Sequence, residues 1–480
     1  MEIKHNLITK ALEYQKNNQL IDAQKLYLEI LDIDPNNDFI YYKIGEICVF
    51  LNAFEDAEAI LKKAIQLNPR NFNALQALLQ LYRNDNFEVV AEKFLYLINF
   101  ALQEGNNCFY QEDYSNAKKY YNYILDIDSK QYETLTNLGS CYQAENKITQ
   151  AKQLYKKALS INPNYTIALY NLSYVYLLEQ DYLKGFELYQ NRYHKDIIGN
   201  KPGGVAYPPT LLQSIDNITN KTIYINHEQG LGDTIQFIRF LPFFLEKKAK
   251  LISYVPPSLT KLFQFNYPDI TFVQPNSNIS FDYNFPMLES PFLLKTTYDS
   301  IPFSKNYLDV NKEDIKTIQQ KYKISDKFIN IGIVFQGSQS KTAVKNRSIE
   351  LEPLLKELKK LTNNYKIYSL QYEKNESDIQ LLDKYNIIDL GKDIKDFYDT
   401  AVMIKNMNLI ISVDTSTLHL SGALGKSSIA MLKFSADWRW GKEQTKTAWY
   451  DSIHLLRQKK DGDWNSILQK LNQTIKQLTT

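Results

Sequence analysis

From residue 4 to about 195 the apolar positions recur with helical spacing, and small residues return in phase at Ala23, Ala57, Ala91, Ala117, Ala151 and Gly185. The intervals are 34, 34, 26, 34 and 34. Four residues further on, the same register holds Tyr27, Leu61, Leu95, Tyr121, Tyr155 and Tyr189. Twelve residues before the small column stand Ala11, Gly45, Leu79, Gly105, Gly139 and Ser173. Three columns in phase predict helical hairpins: small residues let paired helices approach, and the large residue fills the gap between them. Pro35, Pro69 and Pro163 fall where each would end the second helix of a unit. About six such units over residues 1–198 would stack into a solenoid. The interval of 26 breaks the pattern, because the third unit has Leu79 where a small residue belongs and lacks the closing proline. Repeat boundaries near residues 85–110 are therefore left open.

A change of texture follows. The segment from Lys201 to Thr210, KPGGVAYPPT, is rich in Pro and Gly and has no periodicity, so residues 199–220 read as a linker. From Lys221 onward short β-rich runs alternate with helical stretches: TIYIN, LISYV, ITFV, FINIGIVF, YKIYSL, NLIISV and SIAML. Alternation of that kind predicts parallel sheets with crossover helices. A polar helical stretch around Asn311 to Lys323 divides the strands into two groups. The expected architecture is α/β, with Rossmann-like halves at 221–323 and 324–480, and ligands at the carboxyl ends of strands.

Composition narrows the class. With 44% hydrophobic and 23% charged residues, the chain is neither disordered nor membrane-embedded in character, and it has no run of about 18 apolar residues. The N-terminal stretch MEIKHNLITKALEYQ has no apolar core behind its charges, which gives an expectation of a cytoplasmic protein without a transmembrane segment. A formal charge of +2 is too small for the electrostatic footprint of a nucleic-acid binder. Cys48, Cys108 and Cys141 are odd in number and lack metal-ligand spacing, so they read as buried thiols rather than a disulfide framework or zinc site.

Four segments carry candidate chemistry. In INHEQGLGDTIQFIRFLP a strand runs into Glu228, Gln229, Gly230, Leu231, Gly232 and Asp233 before a helix. The glycines permit a tight turn with exposed amides; Asp233 either caps the helix or stands at the mouth of the cleft. A dinucleotide fingerprint would need a third glycine where Ile235 stands. In NLIISVDTSTLHLSGALG a buried strand leads to Asp414, Thr415, Ser416 and Thr417 at a helix start, with His419 one step on. Hydroxyls and free amides there suit a diphosphate, or simply cap the helix. Gly425-Lys426-Ser427 follows that helix and reads as its C-terminal stop. In FQGSQSKTAVKNRSI, the cations Lys341, Lys345 and Arg347 lie after a strand end, on a loop that either faces a leaving diphosphate or is solvated. Finally, Trp438, Trp440, Trp449 and Tyr450 either line a nucleoside pocket or pack the last sheet, and Asp461-Gly462-Asp463 reads as a helix cap.

Taken together, HEQGLGDTIQFIRFLP, the FQGS and NRSI blocks, VDTSTLHLSGALG, DWRWG and WYDSIHLLRQ, behind 34-residue repeats, resemble the tetratricopeptide-repeat (TPR) proteins that carry a heptosyltransferase-like domain related to glycosyltransferase family 9. The resemblance covers nearly the whole chain. It implies a GT-B arrangement with an acceptor side in the first half and a nucleotide-sugar donor in the second. It also implies inverting transfer with no required metal or cofactor, the nucleotide sugar being the co-substrate. On the same basis Asp233 becomes the general base. Glu228, Gln229, Gly230 and Gly232 form the acceptor loop, and Gln336, Lys341, Lys345, Arg347, Asp414, Thr415, Ser416, Thr417 and His419 bind the donor. Where the family usually has His and then Asp-Arg before the Arg-Ser pair, this chain has Lys341, Val344 and Lys345, which keeps positive charge and loses a carboxylate. The repeats would recruit the acceptor, a protein or peptide partner, or another copy of the chain. The alternative is a repeat scaffold whose transferase half binds nucleotide sugar without turnover.

Overall fold

The computed structural model describes residues 2–83, 87–194, 211–274, 277, 279–337, 347–362 and 364–479. The chain divides into two compact units, Met1–Pro163 and Asn164–Thr480.

The first unit is helical throughout: α1 (Glu2–Lys16), α2 (Leu20–Ile33), α3 (Asp38–Phe50), α4 (Phe54–Leu67), α5 (Phe72–Arg83), α6 (Phe87–Tyr110), α7 (Tyr114–Ile127), α8 (Tyr132–Ala144) and α9 (Ile148–Ile161). The columns seen in the sequence meet inside it. A Cβ built on Gly45, Gly105 or Gly139 would fall 2.6, 2.7 or 2.6 Å from the side chain of Leu61, Tyr121 or Tyr155, so the helices touch where a side chain is missing. The buried tyrosines keep their hydroxyls satisfied on the partner helix: Tyr27 donates to Gln15 Oε1, Tyr121 to Asn106 Oδ1 and Tyr155 to Gln143 Oε1, each at 2.8 Å. Among the described residues, four hairpins of this unit turn through one left-handed residue, Asn18, Asn52, Glu112 or Asn146, at φ 58–64°. Asn tolerates that conformation better than most side chains, which accounts for its recurrence at a position where no glycine occurs. Cys48, Cys108 and Cys141 are free and buried in this helical core.

The short interval has a physical cause. Eight residues that would form the joint between two repeats are missing, no proline interrupts the run, and one 24-residue helix, α6, packs against both α5 and α7. The expected large-column residue Leu95 is a miss: it is 57% exposed, while Leu97 and Ala101 are fully buried. Leu79, bulky where its counterparts are small, is fully buried on α5.

The second unit opens with the hairpin α10 (Thr166–Leu178) and α11 (Tyr182–Tyr189), followed by a 3-10 turn at Gln190–Tyr193. The compact units divide after Pro163, so the sixth hairpin of the expected 1–198 repeat region lies in the second unit. The reason is aromatic packing. Tyr182 and Phe186 interlock with Trp438 and Trp449, with ring centroids 5.4–6.5 Å apart, so the sixth hairpin shares its core with the α/β part.

Two parallel sheets follow. The first has β1 (Thr222–Asn226), β2 (Lys250–Tyr254), β3 (Ile270–Val273) and β4 (Tyr283–Pro286) in the order β3-β2-β1-β4. The second contains β5 (Ile329–Val334), β6 (Tyr365–Ser369), β7 (Ile388–Asp389), β8 (Leu409–Val413), β9 (Ser428–Leu432), β10 (Lys446–Thr447) and β11 (Tyr450–Arg457). Its order is β10-β11-β9-β8-β5-β6-β7, parallel except for the edge strand β10. Without that edge strand, this is the Rossmann order 3-2-1-4-5-6, and the strand order reverses between β5 and β8. Strands β8 and β9 are buried at every residue, as continuous apolar runs in a parallel sheet should be. The sequence missed β4, β7, β10 and β11, which are short or carry charges and turn residues among their apolar positions. Arg239, fully buried, ties distant segments together by donating to the carbonyls of Pro302 and Trp449 and to the Tyr307 hydroxyl at 3.3, 2.8 and 2.9 Å.

Candidate functional site

The carboxyl ends of β1, β5, β6 and β8 converge on a cavity of about 680 Å3. From β1 come Gly230, Gly232 and Asp233; from β5, Gln336 and Arg347; from β8, Asp414, Thr415, Ser416, Thr417 and His419. This is the switch point at which open parallel sheets hold ligands. Ten residues singled out in the sequence thus line one cavity.

Each is set by local structure. Gly230 precedes the Leu231–Phe237 helix, and Asp233 Oδ2 accepts its backbone N–H at 2.8 Å. Asp233 is therefore a cap, and it lines the cavity as well. Its other carboxylate oxygen is paired with Arg439. Gly232 has no room for a side chain, because a Cβ there would approach His419 Cδ2 to 2.7 Å. On the other side Thr415 caps the Ser416–Ala423 helix, and its hydroxyl lies 3.0 Å from that of Ser412. Ser416 and Thr417 occupy the first turn, whose N–H groups have no intrahelical acceptor. Beneath them His419 Nδ1 lies 2.9 Å from the Tyr450 hydroxyl.

Burial shapes the electrostatics. It raises the Asp233 carboxyl above its ordinary value, with the Arg439 guanidinium opposing the shift. For Asp414, burial reinforced by the Asp437 carboxylate pushes the pKa up to about 6. His419 goes the other way: burial, with the positive charge of Arg439 alongside, pulls it down to about 3, so the imidazole is neutral.

Other expectations end differently. Glu228 does not line the cavity; Arg192 binds it through Nε at 2.6 Å, and Tyr193 donates to it at 2.8 Å. Nor does Gln229, whose amide donates to the Tyr189 hydroxyl at 2.7 Å and whose backbone is left-handed at φ 62°. Two of the four residues of the expected acceptor loop are thus taken up by the α10–α11 hairpin and the turn that follows it. Gln336 lines the cavity while its amide donates to Asp378 at 3.3 Å. Lys341, Val344 and Lys345 lie outside the described residues. Trp438, Trp440, Trp449 and Tyr450 are fully buried, which makes them packing rather than a nucleoside wall. Asp463 accepts from the Ser466 N–H at 3.1 Å and caps the last helix. Gly425, at φ 66°, closes the Ser416–Ala423 helix as a C-terminal stop.

Sequence reasoning missed Asp437 and Arg439, which stand in the cavity wall inside DWRWG. Arg439 binds Asp437 Oδ1 at 2.8 Å and Gln236 Oε1 at 2.8 Å, besides Asp233. Their signal was a carboxylate and a guanidinium two residues apart, on either side of Trp438. Among the described residues no group of three or more His, Cys, Asp or Glu is arranged to hold a metal ion, and no helix is long and apolar enough to cross a membrane.

Family models of the tetratricopeptide repeat match residues 14–82 and 132–165. The chain is similar to the BBSome complex member BBS4 homolog of Drosophila melanogaster, 24% identical over 200 residues that span 38% of this chain and 40% of that protein. It is also similar to the human protein O-mannosyl-transferase TMTC3, 23% identical over 203 residues that span 41% of this chain and 19% of that protein. The chain therefore covers well under half the length of these relatives. Among solved structures, a glycosyl transferase family 9 protein from Veillonella parvula aligns over 55% of this chain and 98% of its own, at 12% identity and a TM-score of 0.43. The chain carries tetratricopeptide repeats, followed by an α/β region of two largely parallel, Rossmann-like sheets.

Proposed function

We propose that the protein is an inverting glycosyltransferase that moves a sugar from a nucleoside-diphosphate sugar to a hydroxyl acceptor. The observation that carries this reading is the meeting of Asp233 and the Thr415–Thr417 helix start around one cavity. In this reading Asp233 takes the proton of the acceptor hydroxyl as that oxygen attacks the anomeric carbon. The bond from that carbon to the diphosphate oxygen breaks, and the nucleoside diphosphate leaves with the bonding electrons. Burial makes Asp233 a stronger base than a solvated carboxylate. The growing negative charge meets the first-turn amides at Ser416 and Thr417 and the guanidinium of Arg347, which supply the neutralisation without a metal. Lys341 and Lys345 are proposed to add to it.

The repeats are proposed to recruit the acceptor or a protein partner, since stacked helical hairpins offer grooves for extended peptides or helices. The TMTC3 similarity, to a protein named as an O-mannosyl-transferase, supports joining repeats to sugar transfer. A second reading, nucleotide-sugar binding without turnover, draws on two observations: Val344 replaces the carboxylate the family usually has, and Arg439 neutralises Asp233.

Calorimetric titration with ADP, UDP, GDP and dTDP, without added metal, tests the donor site. Tight binding of one diphosphate, weakened in Ser416→Ala, supports it and names the base for turnover assays; failure of all four to bind sinks the assignment. Given binding, release of nucleoside diphosphate from the matching sugar nucleotide separates the enzyme from the scaffold.

A further inference from the structure

The α10–α11 hairpin reaches the candidate site on two sides. Its Tyr189 hydroxyl accepts from Gln229, and Arg192, in the turn that follows it, binds Glu228 and Glu289, the latter at 2.8 Å, so the left-handed approach to the Gly230 turn is held from the hairpin. On the opposite side the Tyr174 hydroxyl of α10 donates to Asp437 Oδ2 at 2.5 Å. The other oxygen of Asp437 accepts from Arg439, and Arg439 in turn is bound to Asp233. Arg439 is thus divided between two carboxylates, with a third acceptor in Gln236.

We infer that Tyr174 is a positioning residue for Asp233: by fixing Asp437, it sets how much of the Arg439 guanidinium Asp233 keeps. The inference rests on the reading of Asp233 as the general base, and it makes the last hairpin part of the transfer machinery. A carboxylate that already holds the Tyr174 hydroxyl and the Arg439 backbone N–H, the latter at 3.1 Å, needs only one bond from the Arg439 guanidinium. Without that hydroxyl, Asp437 competes for a second guanidinium N–H, and the counter-charge on Asp233 weakens. The charged or titratable groups facing Asp233 are Arg439 and Asp437 from the DWRWG turn, and Glu228 and His227 from its own loop. Only the first two connect to Tyr174.

The test follows the Asp233 carboxyl by carbon-13 NMR in full-length protein labelled at aspartate side chains, the signal being assigned by its loss in Asp233→Asn. Tyr174→Phe should raise the titration midpoint of Asp233 by about one pH unit, a tenfold change in proton affinity. Asp437→Asn should lower it, and adding Tyr174→Phe to Asp437→Asn should change nothing further, because the route through Asp437 is gone. Phe186→Leu, which loosens the same hairpin against Trp438 and Trp449, should lower the melting temperature and leave the midpoint in place. An unmoved midpoint in Tyr174→Phe, or an equal shift in Phe186→Leu, overturns the inference. Should the midpoints behave as stated while wild-type protein releases no nucleoside diphosphate from any sugar nucleotide, the transferase reading fails and the positioning role stands.

Discussion

Gly232 and His419 meet backbone to ring: a Cβ on the glycine would stand 2.7 Å from Cδ2 of the imidazole. The turn after β1 therefore closes on the helix after β8 only because residue 232 has no side chain. His419 has little room to retreat, since Tyr450 holds its Nδ1 and the ring of Trp440 lies 5.1 Å away, centroid to centroid.

Gly232→Ala should accordingly open the cavity between the two halves. The expected loss is about 1–3 kcal/mol of stability from overpacking, read by urea unfolding, together with weaker binding of the preferred nucleoside diphosphate, read by calorimetry. Unchanged affinity would mean that the two halves need not touch here for the donor site to form.

Asp233→Asn keeps an acceptor for the Gly230 N–H and removes the base. Transfer should fall by roughly 10²–10⁴-fold, while nucleoside-diphosphate affinity stays near that of the wild type. A parallel loss of affinity would instead mark Asp233 as structural, as its capping bond to Gly230 allows.

The pH dependence of stability has two opposed contributions in this cavity. His419, held down to about 3 against an ordinary value of 6.5, binds fewer protons folded than unfolded, so its contribution is full above pH 6.5 and is lost as pH falls toward 3. Asp414, raised to about 6 from 3.8, binds more protons folded, so its contribution is lost as pH rises from 3.8 to 6. Asp414→Asn removes only the second. Its stability relative to wild type should rise between pH 4 and 6 by on the order of 1 kcal/mol per unit and stay flat above that, as measured by urea unfolding across the range.

Gly139 faces Tyr155 at 2.6 Å from a virtual Cβ, in the column repeated at Gly45 and Gly105. Gly139→Val should cost the solenoid about 1–3 kcal/mol, seen as a lower urea midpoint, and leave nucleoside-diphosphate binding untouched.

What the chain discloses before folding depends on whether the signal is periodic. The helical columns and the apolar central strands β8 and β9 could be read because burial forces residue type at fixed spacing. The turn residues at Gly230–Asp233 and Asp414–Thr417 were legible because they sit where a strand hands over to a helix. Arg439 was not, since an ion pair with Asp233 joins positions 206 apart and leaves no local trace. The same holds for Glu228, which reads as a cleft carboxylate until Arg192, 36 residues earlier, is found beside it. Leu95 failed for a different reason: the missing joint shifted the phase of α6, and a column extrapolated across it points to the wrong face.

That missing joint bears on cooperativity. In a stack of repeats, stability is approximately a sum over units and their neighbour interfaces, and each loop is a place where opening can stop. Where α6 serves the third and the fourth hairpin at once, the stop is gone: α5, α6 and α7 are constrained to open together. Amide exchange on the two sides of this helix should report one opening free energy, whereas the hairpins α1–α2 and α8–α9 remain free to fray on their own.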